Sequence, residues 1–286
     1  MKTIKTELIA CFDRLDTNVH FAFLEVQQDC RKGTIHALRV SLKRLRAFLQ
    51  LLRGIDPHFP GKAAVKKIKP LFAEAGRLRD LQIQYALLFS TEEKLQLDHS
   101  FSGQLLERIQ QQQIAFIEFQ GEFSIAGIRE SCAQARSHLE HLPLRALRKG
   151  LRNYFKNLFQ EIALLSREGL SSRKRLHDLR KTIKKAFYNL AVINQIKPRL
   201  HLPPELLLVL ESLQNQLGKW HDYRITIDEV KNMWDAPAAL RKHLRQEEKI
   251  CLQDLRISLV QLPPQMECLM LKVDNLLAPK PTKATC

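Results

Sequence analysis

His36-Ala37-Leu38-Arg39-Val40-Ser41-Leu42-Lys43-Arg44 recurs in the second half of the chain as His177-Asp178-Leu179-Arg180-Lys181-Thr182-Ile183-Lys184-Lys185. Both stretches read H-x-L-R-x-x-φ-K-[RK], where φ is apolar. A second pair follows in the same order: Ala75-Gly76-Arg77-Leu78-Arg79-Asp80-Leu81-Gln82-Ile83 and Leu217-Gly218-Lys219-Trp220-His221-Asp222-Tyr223-Arg224-Ile225. The spacing from His36 to Gly76 matches that from His177 to Gly218 to within one position. Two ordered motifs at nearly equal spacing imply a duplicated structural unit and a pseudo-two-fold molecule. Most of the repeated residues are cationic, so the duplicated surface suits anions.

The first motif has the period of a helix. At 100° per residue, Leu38, Leu42, Leu45, Leu49 and Leu52 fall on one side and form a core face. His36, Arg39, Lys43, Arg46, Gln50 and Arg53 fall on another stripe. In the second copy Leu179, Ile183, Ala186, Leu190 and Ile193 make the core face. Arg173, His177, Arg180, Lys184 and Tyr188 make the matching stripe, with Lys181 beside it. Each stripe is a ladder of donors that rises about 5 Å per turn. Neighbouring like charges on a helix repel by a few tenths of a kcal/mol per pair, and a helix selected only for solubility would intersperse Glu. Two helices that omit it at corresponding positions point to a positive field with a use.

Working outward, nearly every long segment shows the same period and none alternates as a strand would. Helices are expected at roughly 3–30, 34–54, 62–89, 91–120, 124–141, 144–167, 172–196, 204–233, 236–261 and 264–277. The breaks fall at Gly54 to Pro60-Gly61, Ser90-Thr91 as a cap, Gly121, Pro143, Gly169 to Ser172, Pro198, Pro203-Pro204, Asp235 to Pro237 and Pro263-Pro264. The expected fold is all-α: two antiparallel four-helix bundles related by a pseudo-two-fold axis. The halves would span 1–121 and 144–278, joined by a linking helix at 122–143, with a frayed tail at 279–286. Gly76 and Gly218 cost about 1 kcal/mol each in a helix, and their recurrence suggests close helix–helix approach.

Composition agrees with helix: 10 Gly and 12 Pro are few for 286 residues. The formal charge is +16, and it is concentrated. Residues 31–80 carry thirteen Lys/Arg against Asp56, Glu74 and Asp80; residues 145–185 carry thirteen against Glu161, Glu168 and Asp178. Each window is therefore +10, and the rest of the chain is about −4. Such a field attracts polyanions, whether nucleic acid, anionic membrane or polymeric phosphate. The six cysteines show no C-x-x-C spacing and read as reduced thiols. The N-terminus lacks the apolar core of a secretion signal, and no apolar run is long enough to span a bilayer. A cytoplasmic protein is expected.

The second motif adds Arg77, Arg79, Lys219 and His221 as candidate anion ligands. Asp80 and Asp222, each three residues after a cation, read as groups that orient basic side chains rather than catalysts. Each repeat supplies one His without a close second ligand; His138 and His141 form a tight pair outside it, and no metal site is expected. An imidazole with an ordinary pKa of about 6.5 is mostly neutral at pH 7, and a bound polyanion would raise it.

Together these motifs resemble the CHAD family, the conserved histidine α-helical domain. The resemblance rests on H-x-x-R-x-x-x-K-[RK]-x-R at residues 36–46, H-x-x-R-x-x-x-K-K at 177–185, and the L-G-x-x-R-D type of motif at 75–80 and 217–222, and it spans essentially the whole chain. It implies two four-helix bundles with a basic cleft or pore between them that binds inorganic polyphosphate, in some members on polyphosphate granules. Carried over by position, the ligands are His36, Arg39, Lys43, Arg44, Arg46 and Arg79, then His177, Arg180, Lys184 and Lys185. Two positions depart from the pattern: Phe187 stands opposite Arg46 and His221 opposite Arg79. No companion β-rich triphosphate-tunnel segment is present, so a stand-alone, non-catalytic protein without cofactor is expected.

The physics suits that ligand. Polyphosphate offers charge at regular spacing and no bases, so its site needs many Arg and Lys and few aromatics. Helix N-termini near Gly33-Thr34 and Ser171-Ser172 would add backbone donors. Nucleic acid is the main rival and a weak competitor for such a surface. Against it, aromatics are 7% of the chain and, apart from Tyr188 at the end of one stripe, are not interleaved with the basic residues. A phosphate-processing enzyme lacks its usual signatures here: no Walker A sequence, nucleophile elbow or carboxylate cluster for Mg²⁺. An acidic protein partner and an anionic membrane surface complete the alternatives.

Overall fold

The structure, a computed structural model, describes residues 4–168, 172–196, 204–233 and 235–277. Ten helices follow one another among these residues, with no strand: α1 (Ile4–Gln28), α2 (Lys32–Ile55), α3 (Gly61–Leu95), α4 (Ser100–Glu122), α5 (Ala126–His141), α6 (Leu144–Glu168), α7 (Arg173–Ile196), α8 (Pro204–Asn232), α9 (Ala238–Val260) and α10 (Leu262–Leu277). The expected breaks around Gly169–Ser171, Pro198 and Pro203, and the tail from Pro279, lie outside the described residues.

Successive helices pack together in the same order in both halves. Helices α1, α2, α3 and α4 form one series of neighbours, and α6, α7, α8 and α9 the other; α5 lies on α1 and α10 on α6. The two series meet where α2 packs on α6 and α7, α1 on α7, and α3 on α8 and α9. The leucine and isoleucine stripes read from α2 and α7 are buried, from Leu38 to Leu52 and from Leu179 to Ile193. They belong to a single continuous apolar cluster that runs from Ile4 to Val273, so the halves share one core. Its largest buried side chains include Phe12, Phe48, Phe116, Phe155 and Phe159.

One expected boundary is wrong. Ser90 and Thr91 do not cap a new helix; α3 runs through them and ends at Leu95, where Gln96 takes a left-handed φ of 55°. Both hydroxyls donate back to the Leu87 carbonyl, at 3.0 and 2.8 Å, and so are satisfied inside the helix. The start of α4 is capped from a distance instead. Fully buried Glu92 accepts the Phe101 and Ser102 N–H groups on one carboxylate oxygen, both at 3.1 Å. A local propensity reading has no access to a cap supplied by another helix.

The backbones of the two halves come close at Gly150 of α6, where an added Cβ would stand 2.5 Å from the Ile55 carbonyl oxygen. Gly103, in the first turn of α4, faces open space. Gly150→Ala should therefore cost about 1–3 kcal/mol of overpacking. Gly103→Ala should instead gain up to about 1 kcal/mol of helix propensity. Urea unfolding of the two variants measures the difference, and equal effects would contradict the packing described.

Candidate anion-binding cavity

The basic stripes of α2 and α7 turn inward and face one cavity of about 1560 Å³, which α3 and α8 close and to which α6 contributes one edge. From α2 come Lys32, His36, Arg39, Lys43, Arg44 and Arg46, and from α3 Arg79 and Asp80. From α7 come His177, Asp178, Arg180, Lys181, Lys184 and Lys185, and from α8 Glu211, Lys219, His221 and Asp222. Glu161 of α6 completes the charged lining. Thirteen of the fifteen candidate ligands read from the sequence, and both candidate orienting carboxylates, thus share this space.

Arg77 and Arg173 do not. Arg77 is exposed and pairs with Glu74 on its own helix, and Arg173 lies exposed at the start of α7. Arg173 belongs to the stripe read on the helical wheel and Arg77 to the second motif, but neither lines the cavity. Lys32 lines the cavity and was missed. The signal was present, since Lys32 precedes His36 by four positions as Arg173 precedes His177.

Arg39 is held by several contacts at once. Its Nη1 donates to the Phe72 carbonyl at 3.2 Å, and its Nη2 lies 3.8 Å from an Asp80 carboxylate oxygen. The guanidinium sits over the Phe72 ring, 4.8 Å from its centroid; that of Arg46 lies over the same ring at 4.5 Å. Gly76 lacks a side chain because Arg39 passes there: an added Cβ would lie 2.5 Å from Nη1. A Cβ on Gly218, a cavity-lining residue, would meet nothing within 4 Å. The paired glycines therefore do not mark helix–helix contact; one makes room for an arginine and the other opens onto the cavity.

Asp80 lies in ion-pair range of Arg39 across the helix pair, while Arg77 of its own helix pairs with Glu74. Asp222 is not ion-paired with Lys219; its charge acts chiefly on Arg180 and Lys184. Two of the three remaining carboxylates pair with lysines of α7: Asp178 with Lys181 at 2.8 Å, and Glu161 with Lys185 at 3.4 Å. Phe72 was not anticipated, nor was Glu211. The aromatic at Phe72 carries no charge signal and precedes the glycine motif by one helical turn.

The two walls are unequal. On α2 and α3, Lys32, Arg39, Lys43, Arg44, Arg46 and Arg79 face the single carboxylate Asp80, which is +5 with His neutral. On α6, α7 and α8, Arg180, Lys181, Lys184, Lys185 and Lys219 face Glu161, Asp178, Glu211 and Asp222, which is +1.

Burial comes first, and the charge of neighbouring cations second, in lowering Lys43, Lys184 and the cavity histidines. Burial lowers Lys43 from 10.5 to about 8, with Arg39 and Arg180 adding to the effect and Asp80 opposing it. Burial lowers Lys184 to about 7, helped by Arg180 and Lys43. His221 falls to about 3 through burial and then the charge of Arg180. His36 and His177 are lowered as well, by burial and by the surrounding cations. Burial raises Asp80 and Asp222, against the pull of the neighbouring cations. The Asp80 side chain is half open to the cavity's water, which screens that shift. Two donors at this centre, Arg79 Nη1 and Arg180 Nε, are buried with no hydrogen-bond partner. Such groups are costly unless something accepts from them.

No group of three or more His, Cys, Asp or Glu among the described residues could hold a metal ion. His138 is engaged with Asp56, its Nε2 3.0 Å from the carboxylate. Five cysteines (11, 30, 132, 251 and 268) are free thiols. No described helix is long and apolar enough to cross a membrane. Of the helix N-termini considered as donors, Thr34 donates its hydroxyl to the Arg31 carbonyl at 2.9 Å. Ser171 lies outside the described residues, and the Ser172 hydroxyl accepts the Arg175 N–H at 3.3 Å as an ordinary cap.

Comparison with known proteins places this arrangement. A sequence profile of the CHAD domain matches residues 8–231, and the chain belongs to that family. The crystal structure of the CHAD domain from the plant Ricinus communis superposes with a TM-score of 0.69 over 91% of this chain and 92% of that one. At 18% identity, that likeness is one of fold. No curated protein matches the sequence.

The lysine shifts have a consequence for stability. Between its lowered and its ordinary pKa, each lysine has lost a proton in the folded state that the unfolded chain still holds. Stability of the unliganded protein therefore rises with pH across that interval. The lowered histidines act in the same sense at lower pH. Thiols raised by burial, Cys11 and Cys132 among them, oppose it above their ordinary value of 9.0. The melting temperature should climb by a few degrees between about pH 6 and pH 8.5. Lys184→Met should raise it at the acid end and flatten the slope. Calorimetry across this range decides, and a falling profile would contradict the charge crowding.

Proposed function

We propose that the cavity binds inorganic polyphosphate between two halves related by an approximate two-fold axis, and that it does so without catalysis. The supporting observation is the lining itself: eleven Lys/Arg against five carboxylates around one cavity. At its centre are two buried guanidinium donors without acceptors. A polymer of phosphate supplies acceptor oxygens and negative charge at repeated spacing, and so relieves the repulsion and satisfies the orphaned donors together. A bound polyanion would raise the lowered pKa values of Lys43 and Lys184, so binding should be accompanied by proton uptake and weaken as pH rises beyond about 8.

Nucleic acid remains the second reading because the charge alone would hold it. Arg39 and Arg46 already cover the Phe72 ring, which leaves that aromatic unavailable for stacking a base. The expected setting is the cytoplasm, with polyphosphate granules as the natural partner surface.

Competition at fixed ionic strength and pH 7 tests this: labelled long-chain polyphosphate against RNA, DNA and an acidic polypeptide. Polyphosphate should win by about tenfold or more, and the Arg39→Glu/Arg180→Glu double variant should lose it. By analogy with single strands, about eight phosphate contacts at roughly −0.7 each give a salt slope near −5 to −6. Affinity should then fall about 10³-fold between roughly 50 and 200 mM salt. RNA winning, or a slope shallower than about −2, would overturn the proposal.

A further inference from the structure

The repeat suggests two equal walls, but the structure does not. Arg46 has Phe187 as its counterpart in the second copy, and Phe72 has Gln214, in the register that pairs Gly76 with Gly218. In the first half one aromatic ring therefore carries two guanidinium groups, at 4.8 and 4.5 Å. In the second half the ring and the arginine are both replaced. Gln214 there has its side-chain oxygen buried and without a hydrogen-bond partner. The carboxylates are just as unevenly shared, so the first wall is +5 and the second +1.

Resting on the polyphosphate reading, we propose that the cavity contains two unequal subsites. Arg39 and Arg46, both held against the Phe72 ring and joined by Arg79, form a primary subsite for short oligophosphates. The wall of α7 and α8 is engaged only by longer chains.

The physical reason is preorganisation. A long arginine side chain without support samples many rotamers and loses that freedom on binding. The electron-rich Phe72 ring attracts both, and the Phe72 carbonyl and Asp80 fix Arg39 further. Guanidinium donors already in place lose little freedom when a phosphate arrives. On the opposite wall Lys181 and Lys185 must first give up Asp178 and Glu161. A ligand of few phosphates gains more from the first wall, while a polymer has charge enough to occupy both. Phe72 is in this view a positioning residue, which acts through the arginines it holds.

Titration calorimetry with tripolyphosphate and with long-chain polyphosphate, on the full chain, tests the inequality. Arg46→Gln should weaken tripolyphosphate by about tenfold and Lys185→Gln by about twofold or less, with both variants weakening the long polymer. Phe72→Leu should weaken tripolyphosphate several-fold, whereas Phe72→Tyr, which keeps the ring face, should bind it close to wild type. If Phe72 served only to fill space, leucine would do as well as tyrosine, and that result would remove it from the subsite. Thermal unfolding of each variant separates lost binding from lost fold. Equal losses of tripolyphosphate affinity in Arg46→Gln and Lys185→Gln, with the long polymer still tightly bound by wild type, would overturn the unequal subsites alone. A wild-type protein that binds neither phosphate better than it binds sulfate would overturn this proposal together with the polyphosphate reading on which it rests.

Discussion

Mutual repulsion of the cations around one cavity is the constraint on which the rest of the molecule depends. Eleven basic side chains are held there by five carboxylates and by whatever lies behind them. What lies behind them is the apolar face of the same helices, from Leu38 to Leu52 on α2 and from Leu179 to Ile193 on α7. Each of these helices spends one side on the shared core and the other on the field. Burying a leucine side chain stabilises by roughly 1.5–3 kcal/mol, while repulsion between helical neighbours costs a few tenths per pair. The core therefore holds the arrangement readily, and the sheltered bases can shed charge by losing protons.

They do so selectively. Arginine keeps its charge at any physiological pH, so the adjustment falls on Lys43, Lys184 and the three histidines. The arginines are accommodated by geometry instead. Arg39 passes over Gly76, leans on Phe72 and Asp80, and shares the ring with Arg46. The division of labour follows from side-chain chemistry: planar guanidinium groups stack and fork, whereas an ammonium group is a point charge whose proton can leave.

Much of this could be read before any coordinates. The helical period of the two basic stretches placed their leucines in a core and their cations on one stripe. The repetition of the motif in the second half brought Arg39 and Arg180, and Lys43 and Lys184, into one category of residue. Other features were out of reach because they join residues distant in sequence. Glu92 caps α4 from the preceding helix, Phe72 supports cations on α2, and Glu161 reaches the rim from α6. Arg77 and Arg173 share the composition of the stripe but not its location, since only neighbouring helices determine where a cavity ends. The two glycines looked alike in sequence and play different parts, one beside an arginine and one beside open space.

By itself the sequence determined an all-helical, internally repeated, strongly basic chain, because period, repeat and charge are properties of local order along the polymer. Only the tertiary structure decided that the two basic helices, packed against each other, line one cavity, and that its two walls differ in charge. It also decided which bases there lose protons. Those outcomes depend on distances between helices, and a lysine's proton affinity depends on how much water and how many like charges the fold leaves around it.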